Sequence, residues 1–192
     1  MKGVVAQFFY VGAQVGVASF VIRYAQFSVP GTTAKVAALY LLLHQVGFMA
    51  GRFIGSGLMK RIAAASLLAL FAGASLLCAT VALLASGVIP VWAVVFIGFF
   101  HSIMFPTIFA LGIKNLGALT KRGSSLMVMA IVGGAFFPAI MGRISDAASI
   151  QKAFLVPLLC YVYILYFGVQ GYKPAAVTGL ERTSLGSEST PL

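Results

Sequence analysis

Six apolar runs of about twenty residues follow one another along this chain, at about 4–24, 34–57, 62–86, 90–113, 123–144 and 153–171. A helix needs about 20 such residues to cross roughly 30 Å of hydrocarbon. Backbone groups at that depth find no water, so each run has to satisfy its own hydrogen bonds as a helix. The breaks SVPGTT, LMKRI, SGVIP, KNLGALTKRG and SDAASIQK carry turn formers, helix starters and charges. Hydrophobic residues make up 61% of the chain and charged residues 8%. A soluble domain, whose surface is largely polar, is excluded by that balance. The expected fold class is an all-α membrane protein with six transmembrane helices over 1–171. Residues 172–192, rich in Ser, Thr, Gly and Pro, are expected to form a disordered cytoplasmic tail.

The net charge of +10 does not point to nucleic acid, because the basic residues sit at the ends of apolar runs and not on one soluble face. With both termini inside, Lys2, Arg52, Lys60, Arg61, Lys114, Lys121, Arg122, Lys173 and Arg182 fall on the cytoplasmic side. Arg23, Lys35, Arg143 and Lys152 fall outside. Nine against four predicts cytoplasmic termini. The expected location is that of a multi-pass protein of the plasma (inner) membrane, though the sequence itself does not separate that membrane from an internal one. The first run contains Gln7 and Gln14 and lacks a clear small-residue cleavage site, so it reads as a mature span and not as a signal peptide. Cys78 and Cys160 lie inside apolar runs as small fillers. No metal-ligand spacing, cofactor motif or nucleophile–base set is present, which argues against an enzyme.

Polar residues at membrane depth mark where function would lie. The first run carries Gln7, Tyr10 and Gln14 on one helical face, suited either to inter-helix hydrogen bonds or to substrate. In the second run Tyr40 and His44 share a face and lead into Gly47, Gly51 and Gly55, a ribbon that lets another backbone approach closely. The stretch from Gly98 to Ser125 joins His101 and Pro106 to Lys114, Asn115, Lys121 and Arg122. It reads as a pore-side helix followed by a cytoplasmic turn. Gly123, Ser124 and Ser125 are placed to cap the fifth helix, and Gly133, Gly134 and Pro138 invite a bend in it. Arg143 and Asp146, three apart, are expected to pair with each other. Tyr161, Tyr163, Tyr166 and Tyr172 read as an interfacial belt.

A shift of 91 residues lays Phe8-Phe9-Tyr10 on Phe99-Phe100-His101, Arg23 on Lys114, Gly47 on Pro138, and Gly51-Arg52 on Gly142-Arg143. Two three-helix units follow. Three being odd, the second enters the membrane in the opposite sense, as an inverted repeat.

At these residues the chain resembles a family. YVGAQVGVASFVIRYAQ (10–26), GRFIGSGLMKR (51–61), FPTIFALGIKNLG (105–117), TKRGSSLMVM (120–129) and MGRISDAAS (141–149) are similar to the carboxy-terminal half of the fucose permease family. Those are sugar–proton symporters of the major facilitator superfamily. GRFIGSGLMKR is a form of the general superfamily loop motif that lacks its acidic residue. The resemblance implies that six of twelve spans are here, that an amino-terminal half is the partner, and that the proton-coupling carboxylates belong to that half. No Asp or Glu lies well inside a span of this chain; one at mid-helix costs about 2.5–3.5 kcal/mol on insertion scales. The resemblance also implies that the first and fourth spans line the cavity, with the second and fifth beside them.

A sugar needs amide or hydroxyl partners and an aromatic surface. The candidates for contact are Tyr10, Gln14, Tyr40, His44, Gln45, Phe48, His101, Phe105 and Phe109, with Gln14 and Tyr10 foremost. Arg52, Lys60, Arg61, Lys114, Asn115, Lys121, Arg122, Arg143 and Asp146 are assigned to gates or loops. The expected function is transport of fucose or a related hexose, proton-coupled through the other half, by alternating access. Two alternatives stand beside it: a non-transporting membrane subunit or gene fragment, and a homodimeric half-transporter.

Overall fold

The structure is a computed structural model that describes residues 1–114 and 116–172. Asn115 and the tail expected beyond Tyr172 lie outside the described residues. Helices α1 (Lys2–Ser28), α2 (Ala34–Leu58) and α3 (Ala64–Leu84) make the first three spans. Helices α4 (Val88–His101) and α5 (Met104–Ile113) make the fourth, bent by 41° at Ser102 and Ile103. The fifth runs through α6 (Thr120–Met129), a 3-10 turn at Ala130–Val132 and α7 (Gly133–Ala147). The sixth joins α8 (Ile150–Ala153), α9 (Leu155–Tyr166) and a wide turn at Phe167–Gly171. The chain is thus an integral, multi-pass, all-helical membrane protein among its described residues.

Local chemistry sets the breaks. Between α1 and α2 the chain turns at Gly31, whose φ of +87° is open to glycine at little cost. Thr33 then caps α2, its hydroxyl accepting from the Val36 N–H at 3.3 Å. In the fourth span Pro106 supplies no N–H, and its ring excludes the carbonyl four residues earlier, that of Ser102. The bend falls there. The proposed capping by Gly123, Ser124 and Ser125 is not made: α6 begins at Thr120, so these residues lie within the helix, and Ser125 Oγ bonds back to the Lys121 carbonyl at 3.1 Å. Pro138 is accommodated inside α7, and the departure from α geometry comes earlier, at Ala130–Val132.

Two seams of small residues hold the spans together. Gly51 lies so close to α4 that a Cβ there would sit 2.5 Å from both the Phe99 carbonyl and Ser102 Oγ, and Gly55 faces Ile103 in the same way. From the other side, Gly98 packs on the backbone carbonyl of His44. Along α1 and α7, Gly12 receives Phe137, Gly16 receives Met141, and Gly133 packs on the Phe8 carbonyl. In each seam the two helices run parallel, and the glycines allow close backbone approach where lipid gives no hydrophobic drive between helices. Exchanging spans one, two and three with four, five and six exchanges the two seams. It also exchanges the α3–α4 packing with the α1–α9 packing. That is the inverted repeat. Its axis passes near the 91-residue pair Tyr10 and His101, which touch.

Candidate functional site

Two polar regions lie side by side at the middle of the helices. The first is a buried hub. Tyr10 and His101 are both 0% exposed. The Tyr10 hydroxyl donates to the His101 carbonyl at 2.8 Å, and its oxygen faces the Phe105 N–H. In an unbroken helix that carbonyl would accept from the Phe105 N–H itself. His101 Nε2 meets the Tyr161 hydroxyl at 2.8 Å. The Tyr10 and His101 rings stand edge to face at 5.8 Å, and Phe105 lies 6.2 Å from Tyr10. Around the hub, both side-chain amide atoms of Gln7, His101 Nδ1, Ser102 Oγ and Ser75 Oγ are buried with no protein partner among the described residues.

The second region is open. A groove of about 450 Å3 between α1 and α2 is lined by Gln14, Val15, Ala18, Ser19, Leu41, His44, Gln45 and Phe48. His44 Nδ1 lies 3.0 Å from the Val94 carbonyl. A carbonyl only accepts, so Nδ1 carries the hydrogen, and in the neutral ring Nε2 is left as an acceptor. The groove thus offers two amides, one hydroxyl and one imidazole beside the face of Phe48. Those are the partners a polyhydroxylated ring requires, with no charge in the lining. Toward the end of α2, Arg52 stacks over Phe48 at 4.9 Å, and a second cavity of about 540 Å3 is lined by Arg52, Ser56 and Lys60.

The sequence candidates divide accordingly. Gln14, His44, Gln45 and Phe48 come together in the groove. Tyr10 and His101 lie buried in the hub beside it. Tyr40 packs edge to face on Trp92 at 5.7 Å and does not line the groove. Phe105 and Phe109 stack on one another along α5, 6.5 Å apart and 14° from parallel, also outside its lining. Arg61, Lys114, Lys121 and Arg122 are exposed. Arg143 and Asp146 do not pair: Asp146 instead meets Arg23 at 3.5 Å, because α1 and α7 lie alongside one another and bring Arg23 level with it.

The sequence reading missed one residue of these regions and misplaced another. Ser19 lines the groove. Tyr161 is fully buried against His101 and is no part of an interfacial belt, whereas Tyr166, exposed and 3.2 Å from Lys2 Nζ, and Tyr163, whose hydroxyl lies 3.5 Å from the Lys2 carbonyl, reach the end of α1. The signal was present in its position, since Tyr161 falls in the middle of the 153–171 run and belt residues belong at its ends.

No protein-family model matches the chain. Its fold superposes on the crystal structure of FucP, a major facilitator superfamily transporter in the outward conformation. The TM-score is 0.87 at 43% identity, covering 91% of this chain and 42% of that one. The described helices therefore have the fold of one six-helix half of a major facilitator superfamily transporter. Within that class, the chain is 46% identical over 165 residues to the L-fucose-proton symporter of Escherichia coli K12, covering 85% of this chain and 38% of that protein. It is 41% identical over 172 residues to the glucose/galactose transporter of Brucella abortus, covering 89% and 42%. The chain spans about two fifths of the length of the curated relatives it matches.

Proposed function

We propose that this chain supplies one half of a sugar transporter and acts with an amino-terminal six-helix half. The sugar, fucose or a related hexose, lies in the α1–α2 groove at mid-depth. Gln14, Gln45 and Ser19 serve its hydroxyls, His44 Nε2 accepts from one of them, and Phe48 covers an apolar face of the ring. The observation that carries this reading is the uncharged, amide-rich groove itself, in a chain more than two-fifths identical to two sugar transporters over most of its length. Rocking of the two halves about that groove exposes it to each side in turn. Among the described residues Asp146 is the one acid, and it lies exposed in the last turn of the fifth span, so no carboxylate sits at mid-span and proton coupling is assigned to the other half. The distribution of Lys and Arg supports cytoplasmic termini. On this reading Arg52, Lys60, Arg61, Lys114, Lys121 and Arg122 belong to the cytoplasmic gate and loops.

The test is uptake of radiolabelled fucose, galactose and glucose, with and without a protonophore. It compares cells expressing this chain alone with cells that also express a related amino-terminal half. Protonophore-sensitive uptake in the co-expressing cells alone is the expected result. Uptake by the chain alone would point instead to a homodimer. Absence of uptake in both, with insertion verified, would favour a non-transporting subunit.

A further inference from the structure

We propose that Tyr10 is a positioning residue whose hydroxyl, inserted at the break between α4 and α5, holds the fourth span in its bent form. Pro106 explains why the helix is weak there but does not by itself keep it open. The ring removes one donor and displaces the Ser102 carbonyl. The neighbouring pair, the His101 carbonyl and the Phe105 N–H, remains free to close as an ordinary helical bond. It is not closed: the His101 carbonyl accepts from Tyr10 at 2.8 Å instead. A side chain inserted into the backbone ladder is an established cause of a sharp kink.

The surroundings make the insertion permanent in this conformation. Tyr10 is fully buried, and its hydroxyl has no water to turn to. His101, which supplies the acceptor, is anchored at its own ring by the Tyr161 hydroxyl on α9. The Tyr10 ring abuts Phe105, and Phe105 stacks on Phe109. Tyr10 therefore sets the bend and, through Phe105, the direction in which the aromatic pair of α5 points. Ser102 and Ile103, the two residues between α4 and α5, are the joint. Tyr10 and His101 also sit on the repeat axis, so the pin joins the first helix of one three-helix unit to the first helix of the other.

The bend itself does not depend on the sugar reading; its consequence for transport, through the aromatic pair, rests on it. The experiment measures the bend directly. Spin labels at Phe96→Cys and Ala110→Cys, both exposed and on either side of the joint, report its opening in the full chain reconstituted in lipid, with Cys78 and Cys160 replaced by alanine. An unbroken helix would place these residues about 21 Å apart along its axis. Tyr10→Phe is expected to shift the distance distribution toward that value, and Tyr24→Phe, which removes an equally buried hydroxyl of α1 that bonds the Ala82 carbonyl instead, is expected to leave it in place. No shift in Tyr10→Phe, or an equal shift in Tyr24→Phe, would overturn the proposal. Should Tyr10→Phe not accumulate, Pro106→Ala decides: a retained bend supports the inserted hydroxyl, and a straightened helix refutes it. Failure of the sugar reading would appear in uptake and leave these distances untouched.

Discussion

Tyr10 and Gln14 stand one helical turn apart on the same face of α1, yet one is sealed inside the protein and the other opens on a groove. The difference lies in what each meets. Tyr10 reaches a carbonyl released by a broken helix, and that single bond places its hydroxyl. Gln14 faces open space lined by Ser19 of α1 and by His44 and Gln45 of α2, and its amide makes no side-chain hydrogen bond among the described residues. A polar side chain at membrane depth is therefore not in itself a sign of substrate. What separates a structural group from a binding group is whether the protein already satisfies it.

That contrast can be broken first at the hub, where the largest effect is expected. Tyr161→Phe leaves His101 Nε2 buried without a partner, a cost of about 1–3 kcal/mol. The melting temperature of the purified protein in detergent should fall, and the KM for sugar in cells co-expressing the other half should not change. A shift in KM without loss of stability would move Tyr161 from the hub to the binding site. The smallest effect is expected at the surface. Asp146 is 74% exposed and Arg23 58%, so Asp146→Asn should alter stability by about 0–1 kcal/mol and less as salt rises. A larger loss in thermal unfolding would mean that the α1–α7 link bears more of the fold than its exposure allows.

Much of the architecture was legible in the sequence because the bilayer imposes it. Hydropathy fixes the number of spans, Pro106 marks the weak point of the fourth, and Gly47, Gly51 and Gly55 announce a close helix contact. The 91-residue shift even paired Tyr10 with His101, though as a symmetry mate and not as a neighbour. What stayed hidden was set by tertiary placement. Asp146 has Arg143 one turn behind it, but the adjoining α1 brings Arg23 closer. Ser124 and Ser125 have capping chemistry, but the helix begins upstream and takes them in. In the candidate site, the amides and His44 could be named from their depth. The split between groove and hub could not, because it depends on which hydroxyl finds the carbonyl released at the bend.

The central claim is that the α1–α2 groove holds the sugar, and the kinetics of Gln14→Ala and Gln45→Ala test it most directly. Both would be measured in cells co-expressing the amino-terminal half, with surface amount and melting temperature as controls. Each variant should insert and melt as the parent does while its KM rises roughly 2- to 10-fold, the weight of one neutral hydrogen bond. Unchanged KM in both variants, at full expression and with transport intact, would contradict the account and place the sugar elsewhere.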